Sequence, residues 1–342
     1  LSLPDGTEST LTDNETYDSG EDVDACLYSK ADLTIEGTGT LTVNANYKNG
    51  ITGKDTLTIR DSTLSVTAAN HGITGKDSLT AENASLTVQS GGDAIRSTNN
   101  EDEALGFIIL TDCTLDLTAA EDGVQAETVL TIDGGSYAII TAGGSDGAID
   151  EDTSAKGLKA GTQVTISGGT FDLDCCDDAI HSNGNVDISG GSFTLSTGDD
   201  GIHADDTVTV TNGAINILKS YEGIEGATVN IEGGDINIVS SDDGINVADG
   251  TSSGFGGSFP GGQNNSDGTL PTPPSDPDGT NGGTPPTPPT GQNGSDSNRP
   301  TPPSGQDGAA DTNTPPAPPT DASGEAPSDL PSMPEGGFDG QQ

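Results

Sequence analysis

Short runs in which apolar and polar residues alternate recur along the first two-thirds of this chain. Leu57-Thr58-Ile59, Val164-Thr165-Ile166 and Val208-Thr209-Val210 form one set, and Leu64-Ser65-Val66, Phe193-Thr194-Leu195 and Ile215-Asn216-Ile217 a second. A period of two, rich in Val, Ile and Thr, predicts strands with one apolar edge. A third position carries one large apolar residue per repeat: Ile51, Ile73, Ile95, Val124, Leu158, Ile180, Ile202, Ile224 and Ile245. The small residue before each (Gly50, Gly72, Ala94, Gly123, Gly157, Ala179, Gly201, Gly223, Gly244) recurs at steps of 22, 22, 29, 34, 22, 22, 22 and 21. The two long steps hold insertions near 99–106 and around 143–155. Strands this short cannot bury themselves, but stacked coils turn each column into a continuous apolar ladder. The expectation is an all-β solenoid over residues 1–249: a parallel β-helix of about ten 22-residue coils with three strands per coil.

Gly168-Gly169, Gly190-Gly191 and Gly233-Gly234 mark a tight turn between the first and second strands. Tyr137, Phe171 and Phe193 share one inward column, which predicts a buried aromatic stack rather than a sugar platform. There is no Trp, and the remaining aromatics read as inward or as part of the tail. A nine-residue Gly/Asp period, as in calcium-binding nonapeptide repeats, is absent, and the outward positions vary too much for a flat Thr array.

Composition breaks near Gly250. Only Pro4 of the 20 prolines precedes that point, and Thr-Pro-Pro recurs beyond it. Residues 250–342, low in apolar side chains, are expected to be a disordered Pro/Gly/Thr-rich linker or insertion. Net charge is −45, from 55 acids against 10 bases. Such a field repels nucleic acid and anionic membranes and attracts cations. The chain starts at Leu1 without an initiator Met or signal peptide and has no apolar run long enough for a bilayer, so it reads as a mature or excised fragment. Cys26, Cys113, Cys175 and Cys176 fit neither a disulfide scaffold nor a zinc pattern, and read as core or turn residues.

The turn before the third strand carries the candidate chemistry. It reads Gly92-Asp93, Glu121-Asp122, Asp177-Asp178, Asp199-Asp200, Tyr221-Glu222 and Asp242-Asp243. Carboxylates on neighbouring coils stand about 4.8 Å apart, and at an effective dielectric near 20 each pair repels by roughly 3 kcal/mol. A bridging Ca²⁺, with Ca–O distances of about 2.3–2.6 Å, offsets that repulsion. The alternative is that aspartates favour turns and stay solvated. The expected Ca²⁺ ligands are Asp93, Asp122, Asp177, Asp178, Asp199, Asp200, Glu222, Asp242 and Asp243. Past the turn, the outward column reads Thr52, Thr74, Arg96, Gln125, Lys159, His181, His203, Glu225 and Asn246, beside Lys54, Lys76 and Lys156. Half of the ten bases therefore line one face, either balancing the acids or forming a groove for an anionic glycan. Arg96, Lys156, Lys159, His181, His203 and Glu225 are the candidate glycan contacts.

Several runs together, Ser154-Ala-Lys-Gly-Leu-Lys-Ala-Gly161, Asp177-Asp-Ala-Ile-His-Ser-Asn-Gly184, Asp199-Asp-Gly-Ile-His-Ala-Asp205, Lys219-Ser-Tyr-Glu-Gly-Ile-Glu-Gly226 and Ser241-Asp-Asp-Gly-Ile-Asn246, resemble a bacterial carbohydrate-binding domain family. Its members are secreted, mostly clostridial, right-handed parallel β-helices similar to pectate lyases. The resemblance, over about residues 1–249, implies calcium and binding of cellulose or acidic pectin-type polymers without established cleavage. The early coils depart from it, with Lys48-Asn49-Gly50 and Asn70-His71-Gly72 in place of acid pairs. The leading expectation is an extracellular, secreted or cell-surface monomer that binds acidic plant cell-wall polysaccharide non-catalytically through Ca²⁺. A pectate-lyase-like enzyme would instead use Ca²⁺ with Lys156, Lys159 or Arg96 as base, although the surrounding acids should raise a lysine pKa rather than lower it. A structural surface stalk is the third class.

Overall fold

The computed structural model describes residues 1–17, 23–150 and 153–247. Every regular element among them is a strand, and the strands pair in parallel, coil upon coil. The expected tail and its boundary after Asp249 lie outside the described residues.

The second strands of successive coils form a ten-stranded sheet in sequence order, from Glu8–Thr12 to Asp235–Ile238. Its register follows the apolar ladder: Leu64 pairs with Leu86, Leu86 with Leu115, Leu115 with Tyr137, Tyr137 with Phe171 and Phe171 with Phe193. Third strands stack likewise, through Ile51, Ile73, Ile95, Val124, Leu158, Ile180, Ile202, Ile224 and Ile245. In two coils the third strand runs on into the next first strand, as Ile202–Val210 and Ile224–Ile231. The architecture is the expected parallel solenoid.

The three columns face one core. The rings of Tyr137, Phe171 and Phe193 are fully buried and stack at centroid distances of 4.7 and 4.5 Å, as the alternation predicts. The glycine column is steric. A Cβ on Gly201 would stand 2.6 Å from the Gly223 carbonyl oxygen and 2.5 Å from Ile217 Cδ1. At the turn between first and second strands the left-handed position is taken by Gly169, Gly191 and Gly234, and one residue earlier in other coils by Asp61, Asn83 and Asp112. Asp and Asn tolerate that conformation better than other side chains with a Cβ.

Both insertions fall where the coil steps lengthen, after Ser97 and after Thr141. The second packs beside the polar turn: Ser154 Oγ donates to Asp122 Oδ1 at 2.7 Å, and Lys219 Nζ reaches Asp146 at 2.7 Å.

Candidate functional site

The residue just before each small marker occupies one column at the turn: Asn49, His71, Asp93, Asp122, Lys156, Asp178, Asp200 and Glu222. The Asn49 N–H still donates to the Asp24 carbonyl, but from His71 on the backbone N–H is satisfied by a side chain, in most coils the one a coil earlier. Asn49 Oδ1 accepts from His71 N at 3.2 Å, and His71 Nδ1 accepts from Asp93 N at 2.9 Å. Asp93 Oδ1 accepts from Asp122 N at 3.1 Å, and Asp122 Oδ1 from Lys156 N at 2.8 Å. Lys156 has no acceptor to offer, so Asp177 Oδ1 takes Asp178 N at 3.0 Å. The ladder then resumes from Asp178 to Asp200 N at 3.0 Å and from Asp200 to Glu222 N at 3.1 Å. Sequence patterning shows the acids but not this use of them. Asp93, Asp122, Asp178 and Asp200 are buried and cap backbone, whereas Glu121, Asp199, Asp242 and Asp243 lie towards solvent.

The second oxygen of each buried aspartate meets a basic side chain. Asp93 Oδ2 lies 3.5 Å from Arg96 Nη1, and Asp122 Oδ2 lies 3.1 Å from Lys159 Nζ. Lys156 Nζ sits between Asp177 Oδ1 at 2.7 Å and Asp178 Oδ2 at 2.8 Å. Asp178 Oδ2 also holds His181 Nδ1 at 2.8 Å, and His181 Nε2 meets Asn183 Oδ1 at 2.9 Å. Three of the bases assigned to glycan contact thus neutralise the ladder first. Burial works against the Lys156 charge, yet Asp178 and Asp177 hold its ammonium well above the usual lysine value. Burial would raise Asp178, but His181 and Lys156 keep it far below the usual carboxylate range. Asp199 is pushed up to about 6, first by the protein crowding its solvation, although its outer edge is exposed, and then by the charges of Asp178 and Asp177.

His203 stands apart. Its Nδ1 lies 3.4 Å from Asp200 Oδ2, 3.8 Å from Asp178 Oδ2 and 3.8 Å from Glu225 Oε2. Burial opposes its charge, but those carboxylates lift it to about 9. Asp200 and Glu225 are themselves raised, burial being the first cause for each.

Of the acids expected to share an ion, the structure gathers Asp177, Asp178 and Asp199 at one point and Glu222, Asp242 and Asp243 at another. Lys156 already fills the first. Asp93 and Asp122 join neither group. Both line a polar cleft of about 310 Å³ with Glu121, Gln125, Ser154 and Lys159. The outward column keeps its expected order from Arg96 to Asn246.

The expectation that the aromatics point inward or lie in the tail is corrected. Tyr28 takes an outward position on the first third strand, Ala25–Ser29, with Lys54 Nζ 5.6 Å from its ring centroid. Tyr17 and Tyr47 stack at 4.5 Å and are half-buried. Tyr221 is 49% exposed on the acid turn. Tyr221 sits in a turn, where strand alternation sets no direction, and Tyr28 precedes the first marker glycine of the repeat.

The molecule so described is a parallel β-solenoid whose turn face carries buried carboxylates, paired cations and an open polar cleft. Residues 1–201 match the model of a family described as carbohydrate-binding domain-containing protein, and the chain belongs to that family. A carbohydrate-binding domain-containing protein of Acetivibrio thermocellus is 39% identical over 150 residues, covering 43% of this chain and 52% of that protein. The chain therefore spans about half the length of that curated relative. A solved structure of the polysaccharide lyase-like protein from C. thermocellum, a gadolinium derivative, matches with a TM-score of 0.37 and 18% identity over 69% of this chain and 96% of that one.

Proposed function

We propose that the chain binds an extended acidic polysaccharide of the plant cell-wall polyuronate type outside the cell, without cleaving it, and that Ca²⁺ supports this binding. The observation that carries the reading is the outward row from Arg96 to Asn246, in register through seven coils. Six steps of about 4.8 Å make a row of about 29 Å, the size of an oligosaccharide rather than of one sugar. Arg96, Lys159, His203 and Glu225 keep part of their polar surface open along it, and the cleft at Gln125 and Ser154 adjoins it. His181 and Lys156 lie deeper and hold the face together through Asp178.

A strongly acidic protein repels an acidic polymer, so a bridging dication has a physical task here. Glu222, Asp242 and Asp243 suit Ca²⁺: the donors are all carboxylate oxygens, mutually within 4.8 Å, and no lysine or arginine ion pair reaches them among the described residues. Asn246 Nδ2 donates to both Glu222 oxygens, at 3.0 and 2.9 Å, and orients that carboxylate. Bound there, Ca²⁺ would supply positive charge for a uronate. Tyr221, beside Glu222, offers an exposed ring. Lys156 is not a base in this reading, because its partners keep it protonated.

The test is capture on immobilised polygalacturonate and on cellulose, with Ca²⁺ or with chelator, while unsaturated uronate product is monitored. Polygalacturonate capture should fall at least tenfold with chelator and in the Glu222→Gln/Asp242→Asn/Asp243→Asn variant, with no product formed. Capture indifferent to both would overturn the calcium-dependent reading, and product would restore the lyase.

A further inference from the structure

We propose that His203, Asp200 and Glu225 form a three-donor binding site for a divalent transition metal of the Zn²⁺ class, separate from the carboxylate group at Glu222. His203 and Glu225 are register partners on adjacent strands, and Asp200 lies three residues before His203. The donor atoms of Asp200, His203 and Glu225 lie within 4.8 Å of one another, as do those of Asp178, His181 and His203.

The spacing argues for a metal over an ion pair. A charge-assisted N–H···O bond closes to about 2.7–2.9 Å. His203 Nδ1 instead has three carboxylate oxygens from three coils around it, at 3.4, 3.8 and 3.8 Å, and closes on none. Ligand bonds of about 2.0–2.1 Å in a tetrahedron put neighbouring donors about 3.3–3.4 Å apart, so the 3.4 Å from His203 Nδ1 to Asp200 already suits one ion and the 3.8 Å to Glu225 needs a modest closure of that partly exposed side chain.

The support around the donors is that of a metal centre. Asp200 is buried and spends its other oxygen on the backbone ladder, which fixes the carboxylate plane. Asp178 Oδ2, held by both His181 and Lys156 at 2.8 Å, adds negative charge behind the site without being a donor. On the far side of the ring, Asp205 Oδ1 stands 3.6 Å from His203 Nε2, too far for a hydrogen bond but on the side where a carboxylate orients a metal-ligating histidine once it closes. An imidazole among the donors selects Zn²⁺ and its neighbours over Ca²⁺.

The molecule also contains its own control. His71, Asp93 and Glu121 form a similar group, but His71 Nδ1 accepts the Asp93 backbone N–H at 2.9 Å, which uses the lone pair a metal needs.

Chelator-treated full-length protein, without glycan, should be titrated with Zn²⁺ by calorimetry. One Zn²⁺ per chain is expected at this site, withstanding an equal concentration of Ca²⁺. His203→Asn and Glu225→Gln should each weaken that binding at least tenfold with unchanged circular dichroism. His71→Asn, which restores the side chain found at Asn49 in the same column, should leave it intact. Zn²⁺ binding unchanged in both His203→Asn and Glu225→Gln, no Zn²⁺ binding, or displacement by equimolar Ca²⁺ would each overturn the proposal. The assay leaves Glu222, Asp242 and Asp243 untouched and contains no polysaccharide, so its failure and that of the glycan reading are told apart.

Discussion

Asp122 shows how much one carboxylate does at this turn. Its Oδ1 accepts the Lys156 N–H and the Ser154 hydroxyl, while its Oδ2 meets Lys159. Asp122→Ala orphans a backbone donor and should cost about 1–3 kcal/mol, read as a lower urea midpoint. Asp122→Asn keeps the accepting oxygen and should cost less than half as much. Equal losses would mean that charge, not capping, is the property that matters. Cys175 is a residue-scale probe of the core. Burial, the first cause, pushes its thiol up to about 12 from an ordinary value of 9.0. A pKa raised by folding gives stability that is whole below the unfolded value and is lost as pH climbs through the folded one, so this contribution fades between about pH 9 and 12. At about pH 8, iodoacetamide should reach half-buried Cys26 and spare Cys113 and Cys175 until urea is added.

At the scale of the element, stacking like on like sets stability. Phe171 lies between the rings of Tyr137 and Phe193. Phe171→Ala should cost about 3–5 kcal/mol, and Phe171→Leu, which Leu115 shows the column accepts, distinctly less. Thermal unfolding of the two variants checks this. These columns were legible in the sequence because alternation at a fixed period fixes both strand and face. Gly201 and Ile202 fell into place from spacing alone, as did both insertions. Part of the site was not legible. Asp178 and Asp199 look alike along the chain, yet one is buried against backbone and the other stands at the surface, since the pattern does not record where a turn N–H points. The acids around Lys156 are evident in the sequence, but not that Asp177 and Asp178 both close on its ammonium. Tyr221 gives no sign in a turn that its ring faces outward.

For the whole molecule, each coil rests mainly on its two neighbours, so local opening should spread from the ends. The last described coil is thinly covered: Ile231, Val239 and Ile245 are 43%, 58% and 47% exposed, whereas Ile180 and Ile202 are sealed. Hydrogen exchange should therefore be slow from Ile73 to Ile188 and quicken towards Ile245. Uniform protection along the chain would contradict the picture.

The capping ladder makes this protein divisible. Asp178 and Asp200 are followed by Ala179-Ile180-His181 and Gly201-Ile202-His203, and each caps the coil after it. Cutting out residues 179–200 would join Asp178 to Gly201 and leave Asp178 Oδ1 facing the Glu222 N–H that Asp200 now holds. Phe171 would then rest on Ile215, Leu173 on Ile217, Leu158 on Ile202 and Val164 on Val208, so these inward rungs keep apolar neighbours. The fold is in this sense a ruler graduated in whole turns. Its length, and with it the reach of the outward row, can change by about 4.8 Å at a time without a new joint having to be invented.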